Sequence, residues 1–287
     1  MSSSPTVGSR EPMESGSHGP GACVATCAMM QPSFLPWLGL FGLVLESDCF
    51  VFLDDFQFSL QSYHQRNRLF VDHGHVGWYT VPVRKAASYK APLNETRVVE
   101  DGFWRSKMLK RIQANYSKAP FFSEVFPWVQ SWLTAPSASL AAMNMAFIRG
   151  VCELMGLQTE FRRSSDRPST LQRSDRVVDI VRWCAADCYL SARGSFDYML
   201  TDRVFPIAGI QVLFQDFACV SYPQAGSPGD FVPCLSVVDG LMNVGPLETL
   251  ELVRQGSERW FTWDEMVSGA SVSGVTKDSR REEAPES

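Results

Sequence analysis

The sequence predicts an α/β fold with a mainly parallel sheet and flanking helices, Rossmann-like in layout, as a single compact unit with disordered tails. First, between residues 23 and 256, short runs of β-branched and aromatic residues alternate with longer segments of helical periodicity, a pattern typical of parallel sheets. Second, residues 31–57 read QPSFLPWLGLFGLVLESDCFVFLDDFQ, in which a proline-marked turn, an apolar helix and a buried strand follow one another. With a strand predicted at 23–30, this stretch forms a βαβ unit, around which the chain is organised.

The first half after this unit is predicted to contain a hairpin and two amphipathic helices. Two short β-type runs, 69–72 and 78–83, are joined by the turn sequence HGHVG, which indicates a hairpin. A helix is predicted from Phe103, because Trp104, Met108 and Ile112 repeat at four-residue spacing. A further helix is predicted beyond Ser123.

The second half continues the alternation of helices and strands. Residues 140–155 are apolar on most helical faces and are followed by Gly156, a helix-ending residue. The predicted elements that follow are a strand at 158–162, a helix at 173–186, strands at 189–191 and 209–215, and helices at 235–242 and 246–253. Pro246 suits a first helical turn.

The two ends of the chain differ from the rest in composition. Residues 1–22 are rich in Ser, Gly and Pro, and we expect a disordered tail. Residues 257–287 are expected to be partly ordered, around the sequence TWDEM, and then disordered. The α/β domain is therefore predicted to span residues 23–256.

Composition excludes several classes of protein. The chain has 287 residues, 45% of them hydrophobic, so it can bury a sizeable core. The formal charge is −5 and the basic residues are dispersed, so no nucleic acid partner is expected. The longest apolar run, 34–45, falls short of the roughly 20 residues that span a membrane. No membrane insertion is expected, and the lack of a secretory signal pattern predicts a cytoplasmic protein.

The eight cysteines are expected to be reduced thiols that act as small hydrophobic residues, since no secretory signal is predicted. Cys184 and Cys188 have a C-x₃-C spacing that would place them on one face of a helix. This spacing and the pair His73 and His75 lack the matching partners of a zinc motif. No metal site is therefore predicted.

Polar residues follow the strands of the βαβ unit. Asp54 and Asp55 come after the strand at 49–53, and Gln31 follows the strand at 23–30. Ligand sites of parallel sheets lie outside the carboxyl ends of the strands. Alternate strand residues face opposite sides, so both carboxylates reach one pocket only beyond the strand end. The sequence is consistent with two roles for this pair, ligand binding and capping of a turn.

Several candidate anion contacts also have a structural alternative. Arg66 and Arg68 share one face of an extended segment and suit phosphate or carboxylate recognition, or they are surface partners of the acidic pair. The turn at 191–194 contains a glycine that lets backbone N–H groups approach an anion, or it is a plain turn. Lys107 is an anion contact or a solvated residue on a helix flank.

A set of ordered blocks resembles the WbqC-like protein family across roughly residues 24–255. The blocks are QPSFLPWLGLF, FVFLDDFQFS, NRLF, TVPV, KAPFF, YLSARGSFDYM, and YPQ followed by LSVVDGLMNVGP. The family is known mainly from its setting in O-antigen and related polysaccharide biosynthesis. Two positions where the family tends to carry histidine hold Met108 and Cys219 here, and Ala192 stands where glycine is usual.

Strand-end positions and the resemblance together predict one ligand site. The predicted substrate-binding residues are Gln31, Pro36, Trp37, Gly39, Asp54, Gln57, Arg66, Asn67, Arg68, Lys107, Ser191, Gly194, Tyr198, Tyr222, Gln224 and Asp239. The predicted catalytic residues are Asp55, Asp216 and Cys219. As a nucleophile, Cys219 needs a neighbouring lysine or arginine to form a thiolate; otherwise it is inert packing.

The resemblance implies a transferase that acts on a small-molecule substrate. A nucleotide sugar or amino sugar is one candidate substrate, and acyl or aminoacyl transfer is one candidate reaction. The alternative is a non-catalytic ligand-binding or assembly protein of a glycan or secondary-metabolite pathway. No cofactor and no oligomeric state are predicted.

Overall fold

The computed structural model describes residues 23–71, 74–84, 90–100, 103–225, 227 and 229–272. The strands in these ranges are β1 (Thr26–Met30), β2 (Cys49–Phe52), β3 (Arg66–Val71), β4 (His75–Thr80), β5 (Glu160–Arg163), β6 (Cys188–Ala192), β7 (Gln211–Gln215) and β8 (Trp260–Thr262). The helices are α1 (Leu38–Glu46), α2 (Phe103–Tyr116), α3 (Phe122–Thr134), α4 (Leu140–Met155), α5 (Arg173–Trp183), α6 (Phe196–Asp202), α7 (Val237–Gly256) and α8 (Trp263–Val272).

The predicted α/β fold is confirmed. A six-stranded sheet has the order β5-β2-β1-β6-β7-β8. All neighbouring pairs are parallel except β7 and β8, which are antiparallel. The strand order changes direction at β1, which lies between β2 and β6. Such a switch point is where open parallel sheets bind ligands.

The hydrophobic core lies on both faces of this sheet. Alternate residues of a strand face opposite sides, and in β1 the side chain of Ala28 joins one apolar cluster while Cys27 and Met29 join the other. The larger cluster includes residues of α1, α2, α3, α4 and α7, and the smaller cluster includes residues of α5 and α6. Helices therefore cover both faces, as in doubly wound folds.

The predicted βαβ unit is formed by β1, α1 and β2. Helix α1 is apolar almost throughout and is buried from Leu38 to Val44. After it the chain turns at Asp48, whose Oδ2 accepts hydrogen bonds of 2.8 Å from both the backbone N–H and the hydroxyl of Thr26. This contact aligns the starts of β1 and β2.

The predicted hairpin is formed by β3 and β4, which make a separate antiparallel pair. It begins earlier than the sequence indicated, at Arg66, and β4 ends at Thr80. Asp72 and His73, which belong to the predicted turn, lie outside the described residues.

The chain continues in regular structure past Gly256. Strand β8 adds to the sheet edge, and Trp263 at the start of α8 packs edge-on against Phe196 with ring centroids 5.4 Å apart. The predicted tails, 1–22 and the end of 257–287, lie outside the described residues. No helix within the described ranges is long and apolar enough to cross a membrane.

The prediction of reduced cysteines is wrong for one pair. Cys219 and Cys234 form a disulfide, with Cα atoms 6.1 Å apart, because the segment between β7 and α7 folds back on itself. Cys184 and Cys188 are free thiols, as predicted, but they do not share a helix: Cys184 follows the end of α5, whereas Cys188 begins β6. The free thiol of Cys184 lies instead 3.5 Å from that of Cys49.

Candidate functional site

A cavity of about 460 Å³ opens beside the carboxyl end of β1. Its walls come from the proline-marked turn, the start of α1, the chain around β3 and the segment before α7. The lining residues are Met30, Gln31, Ser33, Trp37, Leu40, Tyr63, His64, Asn67, Arg68 and Cys234. Four of these, Gln31, Trp37, Asn67 and Arg68, were predicted as substrate-binding residues. The volume is in the range of small-molecule sites.

The turn that forms one wall is held by buried amide side chains. The Nδ2 atom of Asn67 donates to the carbonyl oxygens of Phe34 (3.2 Å) and Leu35 (2.8 Å). These bonds support the left-handed backbone of Leu35, at φ 43°. Asn144 of α4 donates to the carbonyls of Pro32 (2.9 Å) and His64 (2.8 Å). The turn and the chain before β3 are therefore fixed to one rigid helix.

The start of α7 closes the cavity from another side. The backbone N–H of Ser236 donates to the carbonyl of Arg68 (3.1 Å), and that of Val237 donates to the carbonyl of Pro36 (2.8 Å). Trp37 lies over α1, where a Cβ atom on Gly39 would overlap the indole ring. The predicted residues Pro36 and Gly39 therefore shape the wall rather than line the cavity.

Arg68 brings an uncompensated positive charge to the cavity. Its Nε is buried and has no hydrogen-bond acceptor. No carboxylate among the described residues forms an ion pair with Arg68 or Arg66, so the predicted alternative of pairing with Asp54 or Asp55 is not observed. A buried guanidinium N–H without an acceptor is costly, and an anionic ligand would supply a counter-charge for Arg68.

His64 and Gln31 form a polar wall opposite the apolar residues. The Nδ1 of His64 accepts from the N–H of Ser59 (3.3 Å), so Nε2 carries the hydrogen and donates to Oε1 of Gln31 (3.0 Å). The Nε2 of Gln31 donates to the carbonyl of Gln57 (3.4 Å). Burial lowers the pKa of His64 to about 4, so the ring is neutral at physiological pH.

Three predicted residues, Tyr222, Gln224 and Asp239, form a buried network at the start of α7. Asp239 accepts hydrogen bonds from the hydroxyls of Tyr222 (2.7 Å) and Tyr116 (2.8 Å) and from Nε2 of Gln224 (2.7 Å). Burial raises the pKa of Asp239, although these hydrogen bonds act in the opposite direction. The carboxylate is fully engaged within the protein and supports the loop that ends at Cys234.

Asp54 and Asp55 lie away from the cavity, at the end of β2. Asp54 accepts from the N–H (3.0 Å) and hydroxyl (2.7 Å) of Ser165, which follows β5. Asp55 accepts from the hydroxyl of Ser164, and its Oδ2 lies 3.6 Å from the guanidinium of Arg176. These contacts tie β2 to β5. The catalytic role of Asp55 and the binding role of Asp54 stay predictions.

The predicted residues that follow β6 and β7 also lie outside the cavity lining. Ser191 is buried and donates to the hydroxyl of Tyr189 (3.3 Å). Asp216 accepts from Arg193 (2.8 Å). Gly194 is exposed after β6, and Tyr198 is half-buried in α6. Lys107, on the earlier helix α2, is exposed and also lies outside the lining.

Cys219 is not available as the predicted nucleophile, because its sulfur is bonded to that of Cys234. The fold of the loop brings these two residues together, and nothing in their spacing of 15 residues indicated it. Cys234 in turn lines the cavity. No group of three or more His, Cys, Asp or Glu side chains within the described ranges is arranged to hold a metal ion.

Sequence reasoning missed His64 and Asn144. Asn144 had a detectable signal, because it is a polar residue inside the apolar helix LAAMNMAF and a buried amide needs partners. His64 stands two residues before Arg66 in a polar segment. Only the histidine pair at 73 and 75 was considered as a candidate site. Its proximity to Gln31 depends on the tertiary fold.

Among the comparisons with known proteins, a family model identifies one family. The model of the WbqC-like protein family matches residues 31–251, a range that contains all the lining residues except Met30. The uncharacterized protein Rv1507c of Mycobacterium tuberculosis (strain ATCC 25618 / H37Rv) is 28% identical over 220 residues, which cover 76% of this chain and 93% of that protein. No solved structure gives a significant match to the chain.

Proposed function

This chain belongs to the WbqC-like protein family, and on that basis we propose that it is a transferase that acts on an anionic sugar intermediate held in the cavity beside Arg68. The family's polysaccharide setting, implied by the resemblance, supports a sugar substrate. A nucleotide sugar is the candidate, and acyl or aminoacyl transfer is the candidate reaction. A cytoplasmic location is part of the same proposal, in which the Cys219–Cys234 disulfide is an exception to the reduced thiols typical of that compartment.

One observation carries this proposal: Arg68 lines the cavity, forms no ion pair among the described residues, and has a buried Nε without an acceptor. Guanidinium groups bind phosphate and carboxylate oxygens in a bidentate manner. A ligand anion in the cavity would therefore gain a charge-assisted interaction with Arg68.

The rest of the lining suits a small ring with apolar faces. Met30, Trp37 and Leu40 offer apolar and aromatic surface, against which the C–H faces of a sugar can pack. Gln31 and Ser33 supply polar groups that can orient hydroxyl or amide substituents. A cavity of about 460 Å³ accommodates one such ring and its anionic group.

His64 is the candidate general base for acyl transfer to an amine. Its ring is neutral, as a base requires, since burial lowers its pKa to about 4. Both ring nitrogens are hydrogen-bonded in this structure. With the hydrogen on Nε2, the ring can accept a proton only at Nδ1, so catalysis would require the substrate amine to displace the Ser59 N–H from that nitrogen.

A second candidate is a non-catalytic protein that retains the ligand cavity. Two positions where the family tends to carry histidine favour it. Met108 is buried in the core, and Cys219 is in a disulfide, so neither side chain can transfer a proton.

The proposal is tested by calorimetric titration of nucleotide sugars and acyl-CoA, followed by mass spectrometry of mixtures of the two. Arg68→Ala should weaken binding of the sugar nucleotide about ten- to a hundred-fold. Arg182→Ala is the matched control, because Arg182 is an exposed arginine on α5 that does not line the cavity. A new acylated product identifies the transferase; binding without product favours the second candidate.

Undiminished binding by a folded Arg68→Ala protein would contradict both candidates. A lower melting temperature with normal binding per folded molecule would also contradict them, because it assigns Arg68 a structural role alone.

A further inference from the structure

We propose that the face of the β3–β4 hairpin that carries Arg66, Arg68 and Trp78 is a second subsite, which binds the planar base of a nucleotide whose anionic group lies at Arg68. This inference rests on the proposed function, because it extends the same cavity. It adds that the ligand stacks an aromatic ring outside the cavity against Tyr63 and Trp78.

The strand register brings these side chains to one face. Arg68 lies directly opposite Trp78 in the antiparallel pair, and Arg66 lies opposite Thr80. Residues two apart in a strand share a face, so both arginines and Trp78 project from the same side of the hairpin. Arg68 is the member of this set that also lines the cavity.

Tyr63 connects the cavity to this face. It is a lining residue of the cavity, and its ring centroid lies 5.8 Å from that of Trp78 at an interplanar angle of 55°. Tyr63 is 55% exposed and Trp78 is 40% exposed. Two large aromatic rings thus stand in solvent at the mouth of a cavity, which is the arrangement of stacking platforms for nucleotide bases.

Arg66 adds a second positive charge to the platform. Its guanidinium carbon lies 4.3 Å from the centroid of the Trp78 ring, which is cation–π geometry. The Nε of Arg66 is buried without an acceptor, like that of Arg68. Two such cations on one face attract a ligand that is anionic next to its ring. A nucleotide meets both requirements, whereas a neutral aromatic ligand would leave the two positive charges without a counter-charge.

The test compares two ligands that differ only in the base. Adenosine monophosphate and ribose 5-phosphate are titrated calorimetrically into the full chain. Stacking on aromatic side chains predicts that adenosine monophosphate binds about 5- to 150-fold more tightly than ribose 5-phosphate. Trp78→Ala and Tyr63→Ala should each reduce this ratio, and Leu247→Ala, an exposed residue of α7 (80% exposed), should leave it unchanged.

A fluorescence measurement provides an independent readout. Stacking of adenine on Trp78 should quench tryptophan emission in the wild type and in Leu247→Ala, and Trp78→Phe should abolish that part of the quenching. Variants are compared at equal folded fraction, established by thermal unfolding.

The outcomes separate this inference from the proposed function. If ribose 5-phosphate binds in an Arg68-dependent manner and the base adds nothing, the stacking subsite is wrong and the anion site stands. If the preference for adenosine monophosphate persists in both Trp78→Ala and Tyr63→Ala, the subsite is again wrong. If neither ligand binds the wild type, both proposals fail.

Discussion

The imidazole of His64 and the carboxamide of Gln31 are joined by a hydrogen bond of 3.0 Å between Nε2 and Oε1. The two residues are 33 positions apart, and the turn after β1 brings them together at the cavity wall. The bond fixes the orientation of the Gln31 side chain. Burial keeps the imidazole neutral, because it lowers the pKa of His64 to about 4.

We predict that His64 makes stability fall at acidic pH. Burial lowers the folded-state pKa from 6.5 to about 4, so the unfolded chain binds the proton first as the pH falls. The contribution of neutral His64 to the free energy of unfolding is fully present above about pH 6.5. It is lost as the pH falls toward 4, and the total loss is about 3 kcal/mol. The measurement is the free energy of urea unfolding at pH 7.5 and at pH 4.5.

His64→Phe should remove this part of the difference between the free energies of unfolding at pH 7.5 and pH 4.5. This holds whatever the effect of the substitution on stability at each single pH. The matched control is His75→Phe, which removes an exposed histidine of β4 and leaves His64 in place. It should retain the wild-type fall. A wild-type fall that survives in His64→Phe would show that other groups cause it.

We predict that Asp239→Asn destabilises the protein by about 1–3 kcal/mol. The two tyrosine hydroxyls that donate to Asp239, from Tyr116 and Tyr222, need acceptors, and an amide offers only one oxygen. An unsatisfied buried hydroxyl costs that amount. The measurement is urea unfolding at pH 7.5.

The double variant Tyr222→Phe, Asp239→Asn separates this explanation from a general packing defect. Because both changes remove the same hydrogen bond, their effects should add to less than the sum of the single variants. Full additivity would mean that the Tyr222 hydroxyl does not depend on Asp239.

The fold was predicted well from the sequence because helices and strands are specified by patterns among residues close together in the chain. The apolar helix between Pro36 and Ser47, and the helix that ends at Gly156 in a left-handed conformation (φ 72°), both follow from short-range patterns. Strand-end logic also located the cavity near Gln31. The residue that the sequence analysis missed depends on the path of a loop: the chain before β3 brings His64 to Gln31, and no pattern in one sequence encodes that approach.

The same reason explains the separation of the acidic pair from the cavity. Asp54 lies at a strand end on the same sheet edge as Gln31, which made a common site plausible. Two serines follow the adjacent strand β5, and their hydroxyls and one N–H donate hydrogen bonds to the carboxylates. The pairing of β2 with β5 is long-range and was not predicted from the sequence.

We predict that denatured, unreduced protein contains six free thiols out of eight cysteines, because Cys219 and Cys234 are bonded. Replacing both by serine should lower stability by roughly 3 kcal/mol, the value for a closed loop of about 15 residues. Thiol titration and urea unfolding measure the two effects. A reductant should destabilise the wild type but leave the double variant unchanged; eight titratable thiols would contradict the bond.

Asp54 and Asp55 provide the last test, because the sequence predicted them as ligand-site residues and the contacts favour a structural role. Asp54 is 1% exposed and is held by Ser165. Asp54→Ala leaves the Ser165 N–H and hydroxyl without their acceptor, so we expect a loss of about 1–3 kcal/mol. Asp55→Asn should cost less, within about 1 kcal/mol, because its ion pair with Arg176 is partly exposed and Arg176 also binds Asp179.

Both variants should bind the cavity ligand with wild-type affinity per folded molecule, because neither residue lines the cavity. The measurement is calorimetric titration with adenosine monophosphate at a temperature where each variant is folded, with Arg68→Ala as the positive control for a binding defect. The two roles then separate cleanly: a stability loss with intact affinity assigns the acidic pair to the β2–β5 junction. A ten-fold affinity loss in a fully folded Asp55→Asn protein would instead return Asp55 to the ligand site, and the cavity would then extend to the end of β2.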